Sequence, residues 1–159
     1  MAKELNLKIS GSIAGTYKKT GNSTIAGATV AVNNQEFNET LIDGLGDAIN
    51  IVNLLYSKRH AISSGAGVTL DLTSLTDEFG DSISLPSKKL IFIKNQAAVG
   101  SSQVLICTSL FASGVNMNPQ EWRMICCPSG LSTVPSSLAF TTASGTSFNF
   151  DILVAGIND

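Results

Sequence analysis

Turn-forming clusters interrupt this chain roughly every 8–12 residues, a spacing that leaves room for short antiparallel strands and little else. Gly21-Asn22, Ser63-Ser64-Gly65, Gly80-Asp81 and Gly100-Ser101-Ser102 are such breaks. Between them apolar residues alternate. Leu5, Leu7 and Ile9 stand against Asn6, Lys8 and Ser10 near the start, and Phe148, Phe150, Ile152 and Val154 share one face near the end. A period of two sends successive side chains to opposite faces of a sheet, so each segment has one face to bury. Strands are expected over 5–13, 25–32, 37–42, 68–72, 82–85, 90–93, 104–107, 122–126, 138–142 and 147–156. The run Ile49, Ile51, Val52, Leu54, Leu55, Tyr56 fits a helix by period alone. Its β-branched content, and its continuation through Ser57 to Ile62, favour a strand.

The expected fold is therefore all-β: an antiparallel, jelly-roll-like β-sandwich with an N-terminal β arm. The 159 residues suffice for one domain with a real core. Residues 1–45 are the richer in Gly, Asn and Thr and read as an arm or outer strands. Residues 46–159 read as the sandwich core of what is one structural domain overall.

Charged residues make up only 14% of the chain, against roughly 25% in an average soluble domain. Such a weakly charged polar surface suits a protein packed among neighbours. Net charge is −2, and the basic clusters are Lys18-Lys19, Lys58-Arg59-His60 and Lys88-Lys89, none interleaved with aromatics. A nucleic-acid footprint needs a broad basic face, so no nucleic-acid partner is expected. No stretch approaches the ~20 apolar residues of a membrane span, and Met1-Ala2-Lys3-Glu4 opens no signal peptide, so no membrane partner is expected. Synthesis in a reducing cytoplasm follows. The three cysteines agree with it: Cys107, Cys126 and Cys127 have no framework spacing, and Cys107 and one of the adjacent pair read as small buried hydrophobes.

Acyl-transfer chemistry needs a base that titrates near neutrality. The only histidine is His60, within Lys-Arg-His, and it reads as a solvated surface residue whose cationic neighbours lower its pKa. No Gly-x-Ser-x-Gly elbow and no Gly-Lys pair of a P-loop occurs. Three cysteines and one distant histidine do not make a zinc site. Four acids, Asp71, Asp77, Glu78 and Asp81, fall within eleven residues. In a calcium loop starting at Asp71, Leu75 would occupy a ligand position. A sugar-cleaving pair of carboxylates would need aromatic walls, and only Phe79 is near. The acids read instead as solvated turn residues. Thr73 or Ser74 would cap one helical turn holding Asp77 and Glu78, with Leu75 and Phe79 sharing its buried face. No catalytic, cofactor-binding or metal-binding residue is assigned, and no cofactor is expected.

The same segment carries a resemblance. Asp71-Leu72, Leu75-Thr76-Asp77, Phe79-Gly80, the run Lys88-Lys89-Leu90-Ile91-Phe92-Ile93 and the late run Phe150 to Gly156 are similar to motifs of a family of small phage and prophage structural proteins. The resemblance covers Ala61 to Asp159. The first 50 residues do not share it, and Glu121-Trp122-Arg123-Met124 departs from its usual middle strand. It implies a β-sandwich virion component without catalytic residues.

The leading expectation is a non-enzymatic structural component of a bacteriophage virion, assembled in the host cytoplasm. A capsid decoration or auxiliary protein comes first, a tail or fibre-base protein second. Its partners would be itself, as a trimer or higher ring, and other virion proteins. The N-terminal arm, with Gly11, Ala14, Gly15, Ala26, Gly27 and Ala28, is the candidate for reaching a neighbour. A carbohydrate-binding sandwich is the alternative from another class. Trp122 could stack on a sugar, but it reads rather as a residue at the edge of the core. Because the acids are read as turn residues, a chelator is expected to leave the melting temperature unchanged. A fall of several degrees that calcium restores would make Asp71, Asp77 and Asp81 ligands.

Overall fold

A computed structural model describes residues 5–18, 29–43, 51–77, 79–110, 114–127, 130–131, 134–142 and 147–157. Every regular element among them is a strand. The chain forms two compact units, Asn6–Leu41 and a larger one of Met1–Leu5 with Ile42–Asp159.

The smaller unit holds two long strands that neighbour each other in one sheet, β1 (Asn6–Lys18) and most of β2 (Thr29–Asp43). The sequence suggests two separate strands where β2 runs unbroken. Asn33-Asn34 lacks the glycine or proline that would force a reversal, and strand pairing overrides a weak turn preference. Residues 25–28 and the expected turn at Gly21-Asn22 lie outside the described residues.

In the larger unit Ile42 and Asp43 pair in parallel with β3 (Ile51–Val52). The other strands are β4 (Leu54–Ile62), β5 (Gly67–Asp71), β6 (Leu75–Thr76), β7 (Ser82–Ile83), β8 (Ser87–Asn95), β9 (Leu105–Cys107), β10 (Val115–Met117), β11 (Trp122–Cys126), β12 (Ser137–Thr142) and β13 (Phe148–Ile157). Periodicity anticipates most of these. The two-residue β6 and three-residue β10 are too short to show a period.

Eight of these strands make two four-stranded antiparallel sheets, ordered β11-β8-β13-β4 and β10-β9-β12-β5. The order has a simple origin. The first half of the unit pairs with the second half in reverse: β4 with β13, β5 with β12, β8 with β11, β9 with β10. This long antiparallel ladder is then wound so that β13 also pairs with β8, and β12 also pairs with β9. That is the winding of a jelly roll, the form of sandwich expected from the sequence.

One core lies between the sheets. Tyr56, Ile91, Phe150, Ile152 and Val154 come from one sheet, and Leu70, Leu105, Met117, Leu138 and Phe140 from the other. The rings of Phe140 and Phe150 meet 4.6 Å apart across the gap. Each large apolar side chain buried this way contributes about 1.5–3 kcal/mol before entropy is counted.

Among the described residues, three polar ones are buried as well. Asn95 is fully buried. Its Nδ2 donates to the carbonyls of Gln103 and Met117 at 2.9 Å each, and its Oδ1 accepts the Ala97 amide at 2.9 Å. One amide thus joins the end of β8 to the chain entering β9 and leaving β10. Lys88 and Lys89, one of the basic pairs of the sequence, are 5% and 2% exposed. The reason is a bulge in β8. Ala155 pairs with Leu90 but Gly156 pairs with Lys88, so Lys89 is the extra residue and the alternation fails there. Lys88 Nζ donates to the Pro86 carbonyl at 3.3 Å, and burial lowers its pKa.

The bulge presses the two backbones together at Gly156. A Cβ there would lie 2.0 Å from the Ser87 carbonyl oxygen. Gly156→Ala is therefore expected to cost at least about 1–3 kcal/mol, read as a lower urea midpoint with an unchanged slope.

Candidate binding face

Two of the acids that open the question of chemistry, Asp71 and Asp77, bond to the backbone of their own turns. Asp71 Oδ1 accepts the Thr73 amide at 2.9 Å and the Thr73 hydroxyl at 2.6 Å, and these bonds lower its pKa. Asp77 Oδ1 accepts the amides of Phe79 and Asp81, each at 2.9 Å. The described residues here do not form the expected helical turn: β6 pairs with β7, and Asp77, Gly80 and Asp81 lie in the reversal between them. A short acidic side chain that satisfies its own turn amides competes with helix, and Gly80 completes the turn at φ 90°. Leu75 is buried as expected, but Phe79 is 76% exposed, so they do not share a face. Glu78 lies outside the described residues. Among the described residues no group of three His, Cys, Asp or Glu side chains is placed to hold a metal.

His60 is not the solvated residue that its neighbours suggest. Its position in β4 turns it inward, where it is half-buried. The Tyr56 hydroxyl lies 2.7 Å from Nε2, and the imidazole stacks on Phe150 at 5.4 Å. Cys107 is buried as expected, and burial raises its pKa, as for an inert thiol. Cys126 and Cys127 are both half-buried, and none of the three cysteines is in a disulfide.

The two outer faces of the sandwich differ. Along β10-β9-β12-β5, Asn116, Thr141 and Gly67 are joined by register through Ile106, with Thr69 and Asp71 exposed beside them. That face is mostly small and polar. The outer face of β11-β8-β13-β4 is built otherwise. Phe150, Ile152 and Val154 of β13 point into the core, so Asp151 and Leu153 point out. Register then lines up Arg59, Asp151, Lys94 and Trp122 in one row across four strands. The next row is Ser57, Leu153, Phe92 and Met124.

In the first row Arg59 Nε donates to Asp151 Oδ1 at 2.6 Å and Nη2 donates to Oδ2 at 2.9 Å. Gln96 Nε2 donates to the same Oδ2. The Arg59 hydrogen bond is the main cause that holds the Asp151 pKa below the ordinary carboxylate range. Burial opposes it, and Gln96 and the charges of Arg59 and Lys94 add to it. An open depression of about 560 Å³ lies here, lined by Ser57, Arg59, Phe92, Asp151 and Leu153, with Lys58 and Ile152. Beside it the Trp122 ring stacks on Phe92, centroids 6.1 Å apart and planes at 28°. Trp122 is 52% exposed, so it is an outer-face residue and not one at the edge of the core. The chain leading into β11 is braced: Glu121 accepts the Asn118 amide at 2.9 Å and pairs with Arg123.

Sequence reasoning weighed Trp122 but missed Arg59, Phe92, Gln96 and Asp151 as a group. Their distance along the chain hides them: Arg59 and Asp151 are 92 residues apart. The available signal was the alternation of β13, which puts Asp151 opposite the buried set. No protein-family model, no curated protein and no solved structure matches this chain.

His60 generates a test of the packing. Burial, then the charge of Lys58, holds its pKa below the ordinary 6.5. The unfolded chain therefore takes up its proton first as pH falls. This contribution to stability is complete above 6.5 and is lost as pH falls from there to the folded value. The urea midpoint is expected to drop between about pH 7 and about pH 5. The drop should shrink in His60→Gln, which removes the only histidine.

Proposed function

We propose that this chain is a non-enzymatic structural component of a bacteriophage virion, assembling in many copies as a capsid decoration or auxiliary protein. A tail or fibre-base position is the variant of the same reading. The observation that carries it is the smaller unit. β1 and β2 are long strands, 13 and 15 residues, in a compact unit distinct from the sandwich. The sheet they form gains only the two-residue β3 as a third strand, and long strands offer edges that call for a partner. A neighbouring copy in a trimer or higher ring is the partner proposed, with other virion proteins beyond it.

Two further points support the reading. Jelly rolls recur in viral capsid domains, which is support by analogy of fold. The segments that carry the resemblance to phage structural proteins also meet in space, since β8 and β13 pair along their length.

A purified virion on a denaturing gel is expected to show this chain at high copy. Deleting residues 2–32 is expected to leave a folded chain that no longer forms the full-length oligomer or enters particles. A truncated chain that does both would remove the arm from the assembly. A full-length monomer that binds no particle would overturn the reading.

A further inference from the structure

We propose that the outer face of the β11-β8-β13-β4 sheet carries a saccharide-binding site, with Trp122 and Phe92 as its stacking platform and Arg59, Asp151 and Gln96 as its hydrogen-bonding side. The inference stands apart from the virion reading and rests on different residues.

The platform comes first. A lone exposed apolar side chain needs no explanation. Trp122 is not alone: its half-exposed ring continues into Phe92, and register places Leu153 and Met124 on either side of Phe92. A flat aromatic surface matches the C–H face of a sugar ring, which is apolar although the rim of the ring is not.

The rim needs donors and acceptors side by side. A carboxylate only accepts, a guanidinium only donates, and an amide does both. Here the three are already joined: Arg59 donates two bonds to Asp151, and Gln96 donates to the same carboxylate. Groups held in place before binding lose little freedom when a ligand arrives. The depression beside them, about 560 Å³, lies within the range of small-molecule sites. The row from Arg59 to Trp122 crosses three strand spacings, roughly 14 Å, which suits an oligosaccharide of two or more rings.

A protein partner fits less well. It would have to cover the Arg59–Asp151 pair with apolar surface, and the loss of water around both charges is costly. Sugar hydroxyls replace that water bond for bond.

The full-length chain is applied to a printed array of neutral and acidic oligosaccharides, and those retained are titrated in solution. Trp122 is the only tryptophan, so its fluorescence reports on this face alone. Saturable binding with a change in Trp122 emission is expected, with at least a tenfold loss of affinity in Trp122→Ala and in Asp151→Ala and most affinity kept in Trp122→Phe. Should Trp122→Ala fail to fold, shielding of Trp122 from acrylamide by the bound saccharide in the unaltered chain gives the same answer. Retention of no oligosaccharide overturns the proposal. So does binding that leaves Trp122 emission unchanged, or that both alanine variants keep. The virion gel is unaffected by either result, so the two proposals fail separately.

Discussion

The sandwich depends on where its last strand is inserted. β13 lies inside its sheet, with β4 on one side and β8 on the other. Its pairing with β4 joins the two ends of the wound ladder, and its pairing with β8 exists only because the ladder is wound. Phe150, near its start, touches His60 within its own sheet and Phe140 across the core. Without β13 the sheet would split into β4 and the pair β8-β11. These long-range pairings must form before most apolar surface is buried, a topology associated with slow folding.

Two polar devices close what the apolar core cannot. Asn95 uses both ends of its amide to satisfy backbone groups where the chain crosses from one sheet to the other. A leucine of similar size would leave both carbonyls without that partner, and for the buried Met117 carbonyl the loss is about 1–3 kcal/mol. At the other end of β8, the bulge at Lys89 offsets the register and brings Gly156 against Ser87. Both sit on the strand that shares its length with β13. The division of the outer faces follows from the same register. One is small and polar, the other carries a charged row beside an aromatic and aliphatic row.

Much of this was legible in particular residues. The alternation of Phe148, Phe150, Ile152 and Val154 announced both a strand and its buried face, since the side-chain period admits no other arrangement. Asp71 and Asp77 were legible as turn residues, although the turn they make is an Asx-type reversal and not a helical one. Leu75 and Phe79 are four apart, which reads as a helical pair. In an extended chain that spacing means nothing once a tight turn intervenes, and Phe79 ends at the exposed tip. His60 was misjudged as a solvated residue. Its cationic neighbours say surface, and only the inward register of β4 says otherwise.

The sequence by itself determined the class of the fold, because a period of two broken by regular turns cannot be buried except in stacked sheets. It also determined which face of β13 is core. It did not determine which strands become neighbours, since pairing partners lie up to nearly the full length of the unit apart and no local preference encodes them. Ladder pairing placed Arg59 beside Asp151 and Phe92 beside Trp122, and only its winding, which pairs β13 with β8, brought the two pairs onto one face. The candidate face is therefore a product of tertiary structure: its chemistry is written in the residues, but its assembly is decided by register.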